Sequence, residues 1–496
     1  MANNNKFQAL REKLGNSSLG HGKFGRNVLT VIAGTAFAQA IAIAAMPFLA
    51  RLFSPSDFGL LASYAVVAQI LALIACFGYH NALVLPKRQD SAAMLLILCL
   101  GTIIVVSAAT GIVITFFAAE ISALMGMPKL AKWLWLIPFS MIALAGFETF
   151  SSWSTRNKDF SDISQATVTR RLAITGVQLG MGTAAIQSSG LIVGQVFGNM
   201  AGFLILAHKG LAYLPTGIGK KFRLNRVRTL IYRYRQFPGF GLLASLTSAL
   251  ARNLPVIGLG YFFGPAVVGF FSMAYRLVAG PVQIGAASLT RVFFERANRA
   301  YHDGDLASLT LTAYQRLVII ITTPMALLFM ASPELITVFL GDRWVESGLY
   351  LRWITLWLFF VATGSPMHKI FAITERQNEL AYLNGLLFII SALALVGGGM
   401  TGNSYLTVAA FCISSSIVWL LLGMRVIHIA GARISSAIVI MGKEIGMALP
   451  FIGLMAIVRF LTPNPLLVTM TFCALLAVFV GSRARQILSK QRHYSS

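Results

Sequence analysis

The feature that most limits what this chain can become is the recurrence of apolar stretches about 20 residues long, parted by short polar breaks, from residue 28 to residue 482. A hydrocarbon layer ~30 Å thick is crossed by about 20 mostly apolar residues in a helix rising 1.5 Å per residue. Fourteen segments meet that length, at approximately 28–49, 58–78, 92–116, 131–151, 167–187, 189–208, 237–261, 267–290, 312–332, 348–370, 380–399, 404–425, 444–461 and 464–482. Lipid offers backbone N–H and C=O groups no partner, so each segment must satisfy its own hydrogen bonds as a helix. The expected fold class is therefore all-α, a polytopic membrane protein of about 14 transmembrane helices. Composition agrees: 57% of the 496 residues are hydrophobic and 11% charged, less than half the roughly 25% of soluble domains, which excludes a soluble globular enzyme.

The charge excess supplies the orientation. Forty Lys and Arg against 16 Asp and Glu leave a net charge of +24, which on a soluble protein would suggest nucleic acid. On a multispanning chain, bases collect in short cytoplasmic loops. With the N-terminus placed inside, most of the bases fall in alternate breaks, among them Lys87, Arg88, Arg156, Lys158, Arg170 and Arg171, and those between residues 209 and 235. Arg51, Lys129, Lys132, Arg343, Arg352 and Arg459 fall outside. Both termini are expected in the cytoplasm, and the net charge reports topology rather than cargo, so nucleic acid is not an expected partner. Residues 1–27 are polar and basic and read as a cytoplasmic N-terminal segment without a cleavable signal.

A repeat organises the interior. Phe53, Pro55 and Gly59 open the second span, and Phe263, Pro265 and Gly269 open the eighth at the same spacing. Proline suits a helix start because its missing N–H is unneeded there, and glycine admits a close neighbour. Six spans separate the two copies, an even number, so the second block crosses in the same sense as the first; parallel repeats of this kind place substrate sites near the midplane between two lobes. The expected organisation is a first six-helix lobe at 28–208, a basic cytoplasmic linker at 209–236, a second six-helix lobe at 237–425, and a C-terminal helix pair with a basic tail at 426–496. The linker bases suit an amphipathic segment lying on anionic headgroups.

Charges inside spans cost ~2.5 to 3.5 kcal/mol on insertion scales and usually face a cavity or a partner. Arg252 lies in the middle of the seventh span and Arg276 in the first half of the eighth; neither has an acid three or four residues away. Two such guanidinium groups on one cavity suit a phosphate or diphosphate, gripped by paired hydrogen bonds. Pairing with Glu148, near the inner end of the fourth span, or with carbonyls near Pro255 or Pro281 is the alternative. Arg51, at the outer end of the first span, is either interfacial or on the rim of the same cavity. Trp133, Trp135, Trp153, Trp344, Trp353 and Trp357 fall at span ends and read as interface anchors, with sugar stacking as the sharper alternative. Cys76, Cys99, Cys412 and Cys473 sit in apolar stretches with no CxxC, and no P-loop or His-based nucleophile set is present. No catalytic residue, metal or cofactor is expected, and the chain does not read as an enzyme.

From Ala50 through Arg51, Leu52, Phe53, Ser54, Pro55, Ser56, Asp57, Phe58 and Gly59 to Leu60, the sequence resembles the segment between the first two helices of the bacterial oligosaccharide flippases. These form the polysaccharide transporter branch of the multidrug/oligosaccharidyl-lipid/polysaccharide exporter superfamily. Phe263, Pro265, Gly269, Ala274-Tyr275-Arg276-Leu277, Pro281, residues 293–300 and Phe339 to Trp344 are similar to later segments of that family in order, and the resemblance spans about residues 25–425. It implies a V-shaped pair of lobes alternating between inward-open and outward-open states in the bacterial cytoplasmic (inner) membrane. Such proteins move undecaprenyl-diphosphate-linked oligosaccharides for lipopolysaccharide O-antigen or exopolysaccharide, with a polysaccharide polymerase and a chain-length regulator as candidate partners beside membrane lipids. Cationic cavity residues hold the diphosphate; Arg276 matches an arginine common in that family, whereas at Arg252 many members carry another polar or acidic residue. A drug exporter of the same superfamily, the alternative reading, would favour acidic residues in the cavity.

Overall fold

The computed structural model describes residues 30–184, 187–215, 224–462 and 464–495. The N-terminal segment 1–27 and the linker bases Lys220, Lys221 and Arg223 lie outside the described residues. Among the described residues there is no strand. Fifteen helices of ten residues or more succeed one another: α1 Thr30–Leu52, α2 Pro55–Ala75, α3 Gln89–Leu124, α4 Ile137–Arg156, α5 Phe160–Thr183, α6 Gln187–Leu211, the linker helix α7 Leu224–Arg233 and α8 Leu242–Phe263. They continue with α9 Pro265–Asp303, α10 Leu306–Leu340, α11 Val345–Gly364, α12 Gln377–Met400, α13 Ser404–Ile429, α14 Ile434–Leu461 and α15 Pro465–Ser495.

All fourteen expected spans have a helix, with one qualification of composition. Twelve helices are long and apolar enough to cross a membrane, and a thirteenth span is formed if α4 is joined to the short helical segment Pro128–Leu134, bent from it by 64°. The fourteenth is α5, whose polar and basic residues keep it below the same apolar threshold. One face of it, with Ala166, Ile174 and Gln178, is buried in protein. Gly194, Gly198 and Gly202 of α6 form a stripe against it, close enough that a Cβ on Gly198 would lie 2.2 Å from the Ile174 side chain and 2.6 Å from the Ile174 backbone nitrogen. Such small-residue stripes bring helix backbones together in membranes.

Local signals set several helix starts. Ser54 accepts from the Asp57 N–H at 3.3 Å while the Asp57 carboxylate accepts from the Ser54 N–H at 2.9 Å, a reciprocal capping box that makes Pro55 the first residue of α2. Asp159 accepts from the Asp162 N–H at 3.4 Å and so starts α5 at Phe160. Gly264 before Pro265 has φ +76°, a left-handed value that favours glycine. Pro255, Pro281, Pro324, Pro333 and Pro450 lie inside long helices, where each removes one backbone donor from the ladder, and α3 is kinked at Phe117, whose φ of -119° and ψ of 17° are not helical.

The chain separates into two compact units, one of residues 1–45, 67–118 and 132–249, the other of residues 46–66, 119–131 and 250–496. The first unit is centred on Trp153, Phe150, Leu95, Leu96 and Leu206. In the second, Met367, Ile370, Phe371 and Val426 form one core, and α14 and α15 dock on α10 through Leu327, Ala331, Met455 and Val468. Within the apolar window of α2, 61% of residues are buried, against 11% in α12, so α12 offers most of its apolar surface to lipid.

Candidate functional site

The two copies of the Phe-Pro-Gly repeat meet each other inside the second unit. A Cβ on Gly59 would lie 1.7 Å from the Pro265 carbonyl oxygen, and one on Gly269 would lie 1.8 Å from the Pro55 carbonyl oxygen. Each glycine thus receives the first turn of the other helix, a reciprocal contact that only hydrogen side chains permit. The ring of Trp344 closes over the junction, edge-on to Phe58 at 5.3 Å and to Phe270 at 6.0 Å. Its indole N–H donates to the Ala50 carbonyl at 3.0 Å. Repetition of this motif in the sequence therefore has a packing cause.

Arg51, Arg252 and Arg276 all belong to this unit, but they occupy two levels. Arg51 ends α1 beside the paired helix starts and is exposed. Arg252 precedes Phe263 by eleven residues and Arg276 follows Pro265 by eleven, so each lies ~16 Å of helix from the Gly264 turn, on opposite arms. Arg252 is exposed and Arg276 half-buried. Its neighbour Tyr275 stacks on Phe271 at 6.2 Å and on Trp357 at 5.8 Å, so an aromatic wall flanks the Arg276 position.

Two further mid-helix arginines escape the apolar-window reading. Arg170 and Arg171 fall among the loop bases when the fifth span is drawn from 167, yet α5 starts at Phe160 and places them ten and eleven residues into the helix. The signal that finds them is the Asp159 cap, not hydropathy. Arg170 Nε donates to Asn199 Oδ1 of α6 at 2.9 Å, and its guanidinium lies 5.1 Å from the Phe147 ring. Glu148 is exposed between the buried Phe147 and Thr149. Arg352, counted with the outward bases, lies seven residues into α11, where its Nε and Nη2 are buried without a hydrogen-bond partner among the described residues. On the adjoining helices, Arg459 of α14 pairs with Glu334 of α10 at 2.9 Å and donates to the Met330 carbonyl at 3.0 Å.

The tryptophans divide. Trp135 is 60% exposed, as an interface anchor should be, but Trp153 and Trp344 are wholly buried. Trp153 donates to the Gly210 carbonyl at 2.9 Å, so in both cases a fixed backbone acceptor inside the protein satisfies the indole and replaces the headgroup region. Cys76, Cys99 and Cys412 are buried free thiols, and Cys473 is exposed.

The chain is 24% identical over 389 residues to the succinoglycan biosynthesis transport protein ExoT of Rhizobium meliloti (strain 1021), covering 75% of this chain and 74% of that protein. In fold it is similar to the lipid II flippase MurJ in an inward closed conformation, with a TM-score of 0.73 at 15% identity over 93% of this chain and 100% of that one. It is also similar to an inward-facing multidrug resistance MATE family transporter, with a TM-score of 0.52 at 13% identity over 80% and 95% of the two chains. Residues 48–349, which contain both helix-start motifs and all three sequence-predicted arginines, match the family described as "Polysaccharide biosynthesis protein", and the chain belongs to that family.

Proposed function

We propose that this protein flips undecaprenyl-diphosphate-linked oligosaccharide units across the bacterial cytoplasmic membrane for surface polysaccharide synthesis, by alternating access and without making or breaking a bond. The observation that carries the reading is the placement of Arg252 and Arg276 at equal helical distances from the Gly264 turn, in a member of the polysaccharide biosynthesis family. A diphosphate and a glycan both pay heavily to enter hydrocarbon, and guanidinium groups at mid-helix lower that barrier by replacing water around the diphosphate. Arg276 and Arg252 are the groups that meet the diphosphate, and Arg51 meets the cargo at the rim. The two blocks 28–208 and 237–425 act as the moving lobes, joined by the linker 209–236, with both termini in the cytoplasm. The base-rich breaks support that orientation.

A drug exporter of the same superfamily is the second reading, supported by the likeness in fold to a MATE transporter. Cationic drugs call for acids, however, and the mid-helix charges at positions 252 and 276 are positive. Replacing Arg276 with Ala, and separately with Lys, separates the two. Surface polysaccharide should fall at least tenfold in Arg276→Ala, with lipid-linked precursor accumulating, and Lys should restore part of it, because charge is kept but the planar fork is lost. Undiminished polymer at wild-type protein levels would refute the role of Arg276.

A further inference from the structure

The first unit carries a second group of arginines, outside the mid-helix set, on the linker helix α7 and the turn that follows it. Val227, Leu230 and Tyr234 are buried against the core formed by Trp153, Leu206 and Tyr79. The opposite side exposes Arg226, Arg228, Arg233 and Arg235. The Arg235 guanidinium lies over the exposed Tyr232 ring at 4.5 Å, and Arg228, Arg235, Tyr232 and Asn225 line an open groove of about 600 Å³. The sequence contains no Asp or Glu between Asp162 and Glu295, so no acid on the linker or its flanking helices neutralises this face. Such a face is complementary to phosphate.

An apolar groove of about 380 Å³ opens beside the same helix. Phe77, Ile97, Leu98, Gly101 and Val105 line it together with Val227 of α7. Gly101 leaves it open, because an added Cβ there would meet nothing within 4 Å. Arg226 and Arg228 flank Val227 in the chain, so arginines adjoin the residue that bounds the groove. A row of bases next to a hydrocarbon-lined groove fits a molecule with a phosphate at one end and a hydrocarbon chain at the other.

We propose that α7 and the α3 groove bind an anionic phospholipid, its phosphate on the arginine face and one acyl chain along Ile97 to Val105. A headgroup amid several bases gains about 1 kcal/mol per base near the surface, or about fivefold in affinity each. The test uses the full-length protein, delipidated in detergent, with retained lipid counted by native mass spectrometry after addition of phosphatidylglycerol or phosphatidylcholine. The wild type should retain phosphatidylglycerol preferentially. Arg228→Gln combined with Arg235→Gln should lower that retention about twentyfold and leave phosphatidylcholine unchanged, with the Lys pair restoring most of it. Gly101→Leu, which fills the groove without a backbone clash, should lower retention of both lipids. Wild-type retention in either variant would overturn the proposal. So would equal competition by soluble glycerol phosphate, which would leave an anion site with no chain, or displacement by an equimolar polyprenyl diphosphate, which would make this a station for transported lipid.

Discussion

Arg170 of the first unit and Arg252 of the second are held at mid-helix in opposite ways. In the first, Arg170 is engaged by the Asn199 amide and the Phe147 ring, and a glycine stripe presses α6 against its helix. In the second, Arg252 is exposed on a helix whose apolar window is only 17% buried, and Arg276 sits at the edge of an aromatic stack. A charge held by fixed partners is structural unless something displaces them, because breaking those contacts exposes unsatisfied groups. A charge presented on an exposed helix face, as at Arg252, costs the fold little and remains available to cargo. Equal depth in a helix is thus no guide to role; the partners are.

The contrast can be broken where packing is tightest. Gly198→Val places methyl groups where the Ile174 backbone already stands, and should cost about 3 kcal/mol, read as a large fall in melting temperature and in detergent-stable yield. Gly269→Val meets the Pro55 carbonyl in the second unit and should cost a similar amount, whereas Gly101→Val should melt like the wild type. The next largest effect separates the arginines. Arg170→Ala removes the bond to Asn199 and the contact with the Phe147 ring and should destabilise by about 2 kcal/mol, while Arg252→Ala should stay within about 0.5 kcal/mol of wild-type stability and fail in polymer export. Equal melting shifts for the two would remove the distinction.

The smallest effect concerns the start of α5. Tyr213 donates to the Asp159 carboxylate at 2.6 Å, and this bond, together with the backbone N–H of Asp162, holds the acid below the usual carboxylate range. A group whose folded value is depressed stabilises the protein above its unfolded value, ~3.9 for Asp, and loses that contribution as pH falls through the folded one. Melting temperature should therefore drop between about pH 4 and lower values, and Tyr213→Phe should flatten that dependence. The acid is only partly buried, so solvent screens it and the change is small.

Much of this architecture is legible from residue order. Apolar length finds twelve of the long helices outright and a thirteenth as a bent pair, because hydrocarbon imposes one thickness on every span. The motif from Ser54 to Gly59 announces a cap, a first turn and a close contact before any partner is known. Hydropathy fails at α5, where polar residues are carried by neighbouring helices and the cap at Asp159, not apolar content, sets the start. It also misplaces Trp153 and Trp344, since a span-end tryptophan looks the same whether its N–H meets headgroups or a carbonyl such as that of Gly210 or Ala50.

By itself, then, the sequence determined the all-helical membrane class, the order of the helices and the sites of their turns, which depend on local composition and on a solvent of known thickness. Only the tertiary structure decided that Gly59 and Gly269 receive each other's helices, that Arg170 is tied to Asn199 while Arg252 is left exposed, and that the linker arginines adjoin an apolar groove. Those outcomes depend on contacts between residues tens to hundreds of positions apart, and neither periodicity nor charge counting carries information about which distant surfaces meet.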